Sequence, residues 1–163
     1  MSIPLDQKYC IDSSSLIELR SLDTDVFSGI WDALSDAVER GILHAPHEVF
    51  RELDHVDDVT ARWAKSKKAM FFNPDQAQLD KLAEIQGKFE FYDPEAGSPK
   101  ADPFLIAHGA LTGCKVITQE TRAGKKAKVK IPDACDHFGV KFITLSDFFR
   151  EQGWTFIGKQ ERS

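Results

Sequence analysis

Strand-length apolar runs alternate along this chain with segments whose apolar residues recur at helical spacing, and that order predicts a parallel sheet with helices on both faces. The first run spans Lys8 to Asp12, the second is Ile42-Leu43-His44-Ala45, and the last two are Val116-Ile117-Thr118-Gln119 and Val140-Lys141-Phe142-Ile143-Thr144. Between the first two, a short helix starts in Ser13-Ser14-Ser15, where Ser15-Leu16-Ile17-Glu18 has the spacing of a capping box. A longer helix follows from about Asp25 to Arg40, with Val26, Phe27, Ile30, Trp31, Leu34 and Val38 on its apolar face and Gly41 as its stop. Pro46 breaks the second strand, and a helix runs from His47 to about His55. Asp57 to about Tyr92 reads as two more helices divided at Asn73-Pro74-Asp75, the second with Leu79, Leu82, Ile85 and Phe89 on one stripe. Beyond a turn-rich loop from Asp93 to Pro99, Asp102 opens a helix over Pro103 to Leu111. Two last helices are expected over Asp133 to Phe138 and Leu145 to Glu151.

At 163 residues the chain suits a single domain over residues 1–163, with no internal repeat, low-complexity tract or dividing linker. No apolar run nears the roughly 20 residues a bilayer requires, and the first residues lack the charged-then-apolar order of a secretory signal. The expectation is a cytoplasmic protein with no membrane partner. Cys10, Cys114 and Cys135 are odd in number and widely spaced, which fits reduced core thiols rather than a disulfide framework or a C-x-x-C zinc pattern. Neither a Gly-rich phosphate loop nor a Gly-x-Ser-x-Gly elbow is present, which argues against nucleotide kinases and serine hydrolases.

In an open parallel sheet the carboxyl ends of the strands line one crevice, so acids far apart in sequence can meet there. Asp12 ends the first strand, Glu120 follows the Val116 run, Asp102 opens its helix, and Glu52 lies in the helix after the second strand. Each has a structural explanation when taken singly. Asp102-Pro103 is a good helix start, Asp12 is able to cap the helix of the serine run, and Glu52 and Glu120 are ordinary surface types. Their joint placement changes the reading. Two carboxylates about 5 Å apart repel by roughly 3 kcal/mol at an effective dielectric of about 20. Four together must raise some pKa values or hold a divalent cation, and hard oxygen ligands favour Mg2+ or Mn2+ over zinc. Such an ion can serve phosphodiester hydrolysis without a nucleophilic side chain.

Other residues carry weaker signals. Glu48 lies one helical turn before Glu52 on the same face, so either can supply the second acid. His44 and His47 flank Ala45-Pro46 without a third convergent ligand, and His108 stands six positions after Asp102, off its helix face. A formal net charge of -5 speaks weakly against nonspecific nucleic-acid binding, but the charge is uneven. Arg122, Lys125, Lys126, Lys128 and Lys130 crowd the segment after Glu120, either as a solvated surface or as phosphate contacts.

At Ile11-Asp12-Ser13-Ser14-Ser15-Leu16-Ile17, Arg51-Glu52-Leu53, Ala101-Asp102-Pro103-Phe104-Leu105-Ile106-Ala107 and Val116-Ile117-Thr118-Gln119-Glu120, the sequence resembles the PIN-domain nucleases. That superfamily includes the toxin ribonucleases of bacterial toxin-antitoxin pairs. Within it the chain looks most like a bacterial PIN-like group known only as a domain of unknown function, which shares the Asp-Pro-x-Leu-Ile-Ala, Val-x-Thr-Gln-Glu and Lys130-Ile131-Pro132 stretches. The resemblance spans nearly the whole chain. It implies a three-layer α/β/α sandwich around a central parallel sheet and Mg2+- or Mn2+-dependent cleavage of RNA.

By position, the resemblance makes Asp12, Glu52, Asp102 and Glu120 the catalytic quartet, with Asp12, Asp102 and Glu120 on the metal. Ser14 and Thr118 then support Asp12 and the last acid, while Arg122, Lys125, Lys126 and Lys128 meet the RNA. Glu120 stands where an Asp is usual, which moves the metal away from that backbone or binds it through water. The family motif favours Glu52 over Glu48 because Glu52 precedes Leu53. The resemblance also implies an antitoxin that covers the cleft, with Trp31, Trp63 or Phe side chains as its apolar docking points, and a homodimer. Against this lead stands a noncatalytic PIN-like module that binds RNA or protein, suggested by the Glu120 departure and the overall acidity. A response-regulator phosphoacceptor ranks third, because Asp12 stands alone among serines.

Overall fold

The computed structural model describes residues 8–91, 100–122, 129–158 and 160. Five strands form one sheet in the order β3-β2-β1-β4-β5, every pairing parallel, made of β1 (Tyr9–Ile11), β2 (Leu43–Pro46), β3 (Phe71–Phe72), β4 (Lys115–Ile117) and β5 (Phe142–Ile143). Eight α-helices flank it among the described residues. They are α1 (Ser13–Ile17), α2 (Ser28–Glu39), α3 (His47–Leu53), α4 (Val59–Ser66), α5 (Gln76–Lys88), α6 (Asp102–Thr112), α7 (Ile131–Phe138) and α8 (Leu145–Gln152). The result is an α/β fold built as a three-layer sandwich.

Side-chain alternation along β1 assigns the layers. Tyr9 meets Phe148 of α8 edge-on at 4.7 Å, whereas Cys10 lies on the opposite face, in register with His44 of β2 and Val116 of β4. Helix α6 lies over that second face. It comes close because residue 109 is glycine: a Cβ there would stand 2.6 Å from Val140 Cγ1 and 3.4 Å from the Cys114 carbonyl oxygen. The chain adds β2 and β3 on one side of β1, then crosses to add β4 and β5 on the other. The gap between β1 and β4 is therefore the topological switch point, where ligands of open α/β sheets bind.

Several local expectations change in the folded chain. The 57–92 stretch contains a strand as well as helices, because Phe71 and Phe72 pair with Ala45 and Pro46. A two-residue apolar pair has no periodicity to reveal this. Pro46 does not break β2 but closes it, in register with Phe72 of the edge strand β3. Helix α2 begins at Ser28 because the Asp23 carbonyl accepts from the Val26 and Phe27 amides in a turn, which leaves Val26 and Phe27 exposed. Leu79 is likewise exposed, off the buried stripe of Leu82 and Ile85. Asp12, not Ser15, caps α1 by accepting from Ser15 N at 2.9 Å. Trp31 and Trp63, 3% and 7% exposed, pack against each other at 5.5 Å and offer nothing to a partner. Their indole N–H groups are spent internally, on the Leu22 carbonyl and Ser35 Oγ.

Replacing Gly109 with Ala is expected to lower stability by about 1–3 kcal/mol, because overpacking against stiff Val140 outweighs the better helix propensity. Gly87→Ala, in α5 where an added Cβ meets nothing within 4 Å, serves as the control. It should be neutral or stabilise by up to about 1 kcal/mol. Urea unfolding of the two variants beside the parent chain checks both signs.

Candidate functional site

The last residue before α1 is Asp12, only 2% exposed, and its carboxylate is held from three sides. Ser14 Oγ and Thr118 Oγ1 donate to Oδ2 at 2.7 and 2.6 Å, and Ser15 N donates to Oδ1 at 2.9 Å. Thr118 reaches across from the end of β4, whose own amide donates to the Ile143 carbonyl of β5. Ser14 Oγ in turn accepts from Gln119 N at 3.3 Å. The switch point is thus laced by polar side chains of two strand ends. Burial pushes the Asp12 carboxyl above its ordinary range, and the donors from Thr118, Ser14 and Ser15 pull it back down.

Glu52 projects from α3 into the same neighbourhood. Its Oε2 accepts from Ser13 Oγ at 2.9 Å, and its Oε1 accepts from Ala101 N at 2.8 Å, at the mouth of α6. The second bond explains why Asp102 is not a cap. Ala101 is the cap residue, and an incoming carboxylate satisfies its amide. Asp102 is the first residue of α6, and among the described residues its carboxylate accepts no hydrogen bond. Burial, then the charges of Glu120, Glu52 and Asp12, raise its pKa to about 7. Glu120 lies beyond β4, where its Oε2 accepts from Ile131 N at 2.9 Å and its own N donates to Thr118 Oγ1 at 3.1 Å.

The structure therefore brings Asp12, Glu52, Asp102 and Glu120 to one place, with Ser14 and Thr118 beside Asp12. Of the two acids of α3, Glu52 makes the contacts to Ser13 and Ala101, while Glu48 is 9% exposed with a buried, unpartnered Oε2. The carboxylates are neighbours rather than a closed cage. The group of His, Cys, Asp or Glu ligand atoms within 4.8 Å of one another among the described residues is His44, His108 and Cys114. The basic segment is placed only in part. Arg122 pairs with Asp136 at 2.7 and 3.1 Å and lies over Phe142 at 5.0 Å, so its charge is largely spoken for. Lys125, Lys126 and Lys128 lie outside the described residues.

An all-parallel α/β sandwich with carboxylates at its switch point is the class of molecule defined so far. The chain belongs to the family described as Domain of unknown function (DUF4411), which matches residues 9–156. No curated protein matches it. A solved structure similar to it is the "Crystal structure of PAE2754 from Pyrobaculum aerophilum", with 17% identity over 81% of this chain and 96% of that one at a TM-score of 0.39. A likeness this loose does not bear on the chemistry. No helix among the described residues is long and apolar enough to cross a membrane.

The Asp102 environment has a measurable consequence. A carboxyl raised to about 7 in the folded chain binds its proton more tightly there than in the unfolded chain, where it titrates near 3.9. The contribution of this one group to stability is then fully present below about pH 4 and is lost as pH rises through about 7. Asp102→Asn lacks that loss. In EDTA the variant should be more stable than the parent chain at pH 8 by at most roughly 4 kcal/mol, with the gap closing toward pH 4. Denaturant unfolding across that range checks it.

Proposed function

We propose that this chain is a Mg2+- or Mn2+-dependent endoribonuclease of the PIN type, acting in the cytoplasm as the toxin of a toxin-antitoxin pair. The observation that carries the proposal is Asp102: a carboxylate without a hydrogen-bond donor among the described residues, set among three other acids at the switch point of a parallel sheet. Sites that must hold a cation look like this, because unrelieved like charge otherwise raises pKa values and destabilises the fold. The donor set fits a hard ion. It is all oxygen, and the orphan Glu48 Oε2 one helical turn from Glu52 adds a further buried oxygen that lacks a partner. Asp12, Asp102 and Glu120 would hold the metal. Bound there, it would neutralise charge developing on a scissile phosphate and activate water for in-line attack.

The chain's own residues supply positioning. Thr118 and Ser14 orient Asp12, Ser13 and the Ala101 amide orient Glu52, and the Ile131 amide orients Glu120. Each of these hydrogen bonds fixes the direction in which a carboxylate oxygen points. RNA contact by the segment after Glu120 and repression by an antitoxin peptide belong to the same reading and rest on the resemblance. A homodimer does too.

A specific observation favours a second reading, a noncatalytic module that binds RNA or protein. Asp12, Glu52 and Glu120 are each satisfied by protein donors, and no three of the four acids bring ligand atoms within 4.8 Å. Cleavage of a panel of single-stranded and structured RNAs in EDTA, Mg2+ or Mn2+ separates the two. The nuclease should cut only with metal, and Asp12→Asn and Asp102→Asn should each lose at least about 100-fold in rate. Cutting that survives both substitutions overturns the assignment. No cutting under any metal leaves the binding module.

A further inference from the structure

Further along α6 from Asp102, about His108 in its second turn, a second set of ligands converges. Strand alternation places Cys10 of β1, His44 of β2 and Cys114, just before β4, on the sheet face that α6 covers. Gly109 lets α6 settle onto that face, and its neighbour His108 reaches the group. His44 Nε2 and His108 Nε2 stand 2.6 Å apart, and one ring nitrogen of each histidine and Cys114 Sγ all lie within 4.8 Å of one another. Around a tetrahedral zinc the corresponding atoms are roughly 3.3–3.6 Å apart. Small side-chain rotations would convert one arrangement into the other.

We propose that His44, His108 and Cys114 Sγ form a zinc site that clamps α6 to β2 and to the start of β4, independent of the carboxylate cluster and of the nuclease reading. Two imidazoles and a thiolate are a borderline-soft set, suited to zinc and unsuited to the Mg2+ or Mn2+ of the acidic crevice. The sulfur is prepared for the role. A hydrogen bond from Cys10, then the two imidazoles, hold the Cys114 thiol well below its ordinary range, while burial keeps Cys10 protonated. The fourth position faces a cavity of about 290 Å³ lined by Lys8, Met70, Phe72 and Thr112 beside the ligands. That leaves room for water.

The proton balance is definite. When the metal binds, the single proton of the neutral His108 ring moves from Nε2 to Nδ1, so the imidazole stays neutral and none is lost. His108 then carries its ring proton on Nδ1, which lies 2.5 Å from the Gln78 side-chain amide. The amide turns its oxygen to accept that proton, giving up the hydrogen bond from Asp75 N at 3.1 Å. Fixing α6 at His108 also fixes Asp102, six residues and roughly 9 Å away along the same helix axis.

The test uses the full chain, purified in reductant, stripped of metal and titrated with Zn2+ or Co2+. One equivalent should bind, the Co2+ form should show a thiolate-to-metal charge-transfer band, and hundredfold Zn2+ over Kd should raise Tm by about 5–10 °C. Cys114→Ser should abolish the band, and His44→Gln should weaken binding at least about tenfold. Asp12→Asn should keep both, which separates this site from the acids. A folded parent chain that binds no Zn2+, or binds Co2+ without the sulfur band, overturns the proposal. The parent spectrum decides sulfur ligation even where a variant fails to fold.

Discussion

Everything at the crevice depends on how a carboxylate with only 2% of its residue's surface exposed, that of Asp12, is kept satisfied between two strand ends. An ionised carboxylate taken out of water is costly unless donors replace its hydration. Asp12 receives three donors, and one of them, Thr118, belongs to the neighbouring strand of the switch point. That hydroxyl has a double duty, because it also accepts from the Glu120 amide. The interaction that makes Asp12 tolerable in the core is therefore the one that aims the next acid. Site and fold share a hydrogen-bond network.

The four carboxylates are not equivalent. Asp12, Glu52 and Glu120 each accept at least one donor from the protein, so their charge is supported without any ion. Asp102 has no such donor among the described residues, although it sits in the first turn of α6, where the helix dipole favours an anion. The dipole contributes typically 0.3–1 kcal/mol, less than the cost of burial joined by the repulsion of three nearby acids, so the pKa rises. Helix α6 then carries two different chemistries along one rigid rod. A hard, oxygen-rich environment surrounds its first residue, and a softer nitrogen and sulfur set surrounds its second turn.

Much of this was legible in the chain. Hydrophobic periodicity placed four of the five strands and most helices, since apolar spacing is a local property. Strand-end acids were visible because parallel topology dictates where strand ends go. What escaped needed a partner from elsewhere. Phe71 and Phe72 become β3 only because Ala45 and Pro46 present a free edge. Asp102, a good cap on local grounds alone, lies inside the helix instead, and Glu52 bonds the amide of the cap residue Ala101. Trp31 and Trp63 are buried because α2 and α4 face each other, which no single-helix stripe can disclose.

His44, His108 and Cys114 mark the boundary most sharply. They come from β2, α6 and the residue just before β4, with no ligand spacing to join them, so the sequence offered His44 and His108 only as separate weak signals. By itself the sequence determined the element order, the parallel sheet and the identity of the acids that reach strand ends. These follow from periodicity and chain direction, which need only near neighbours. The tertiary structure decided which carboxylate is left without a donor, which lysines and arginines are already paired, and which imidazoles meet a thiolate. Such outcomes depend on distances between side chains far apart in sequence, and only helix-on-sheet packing sets those distances.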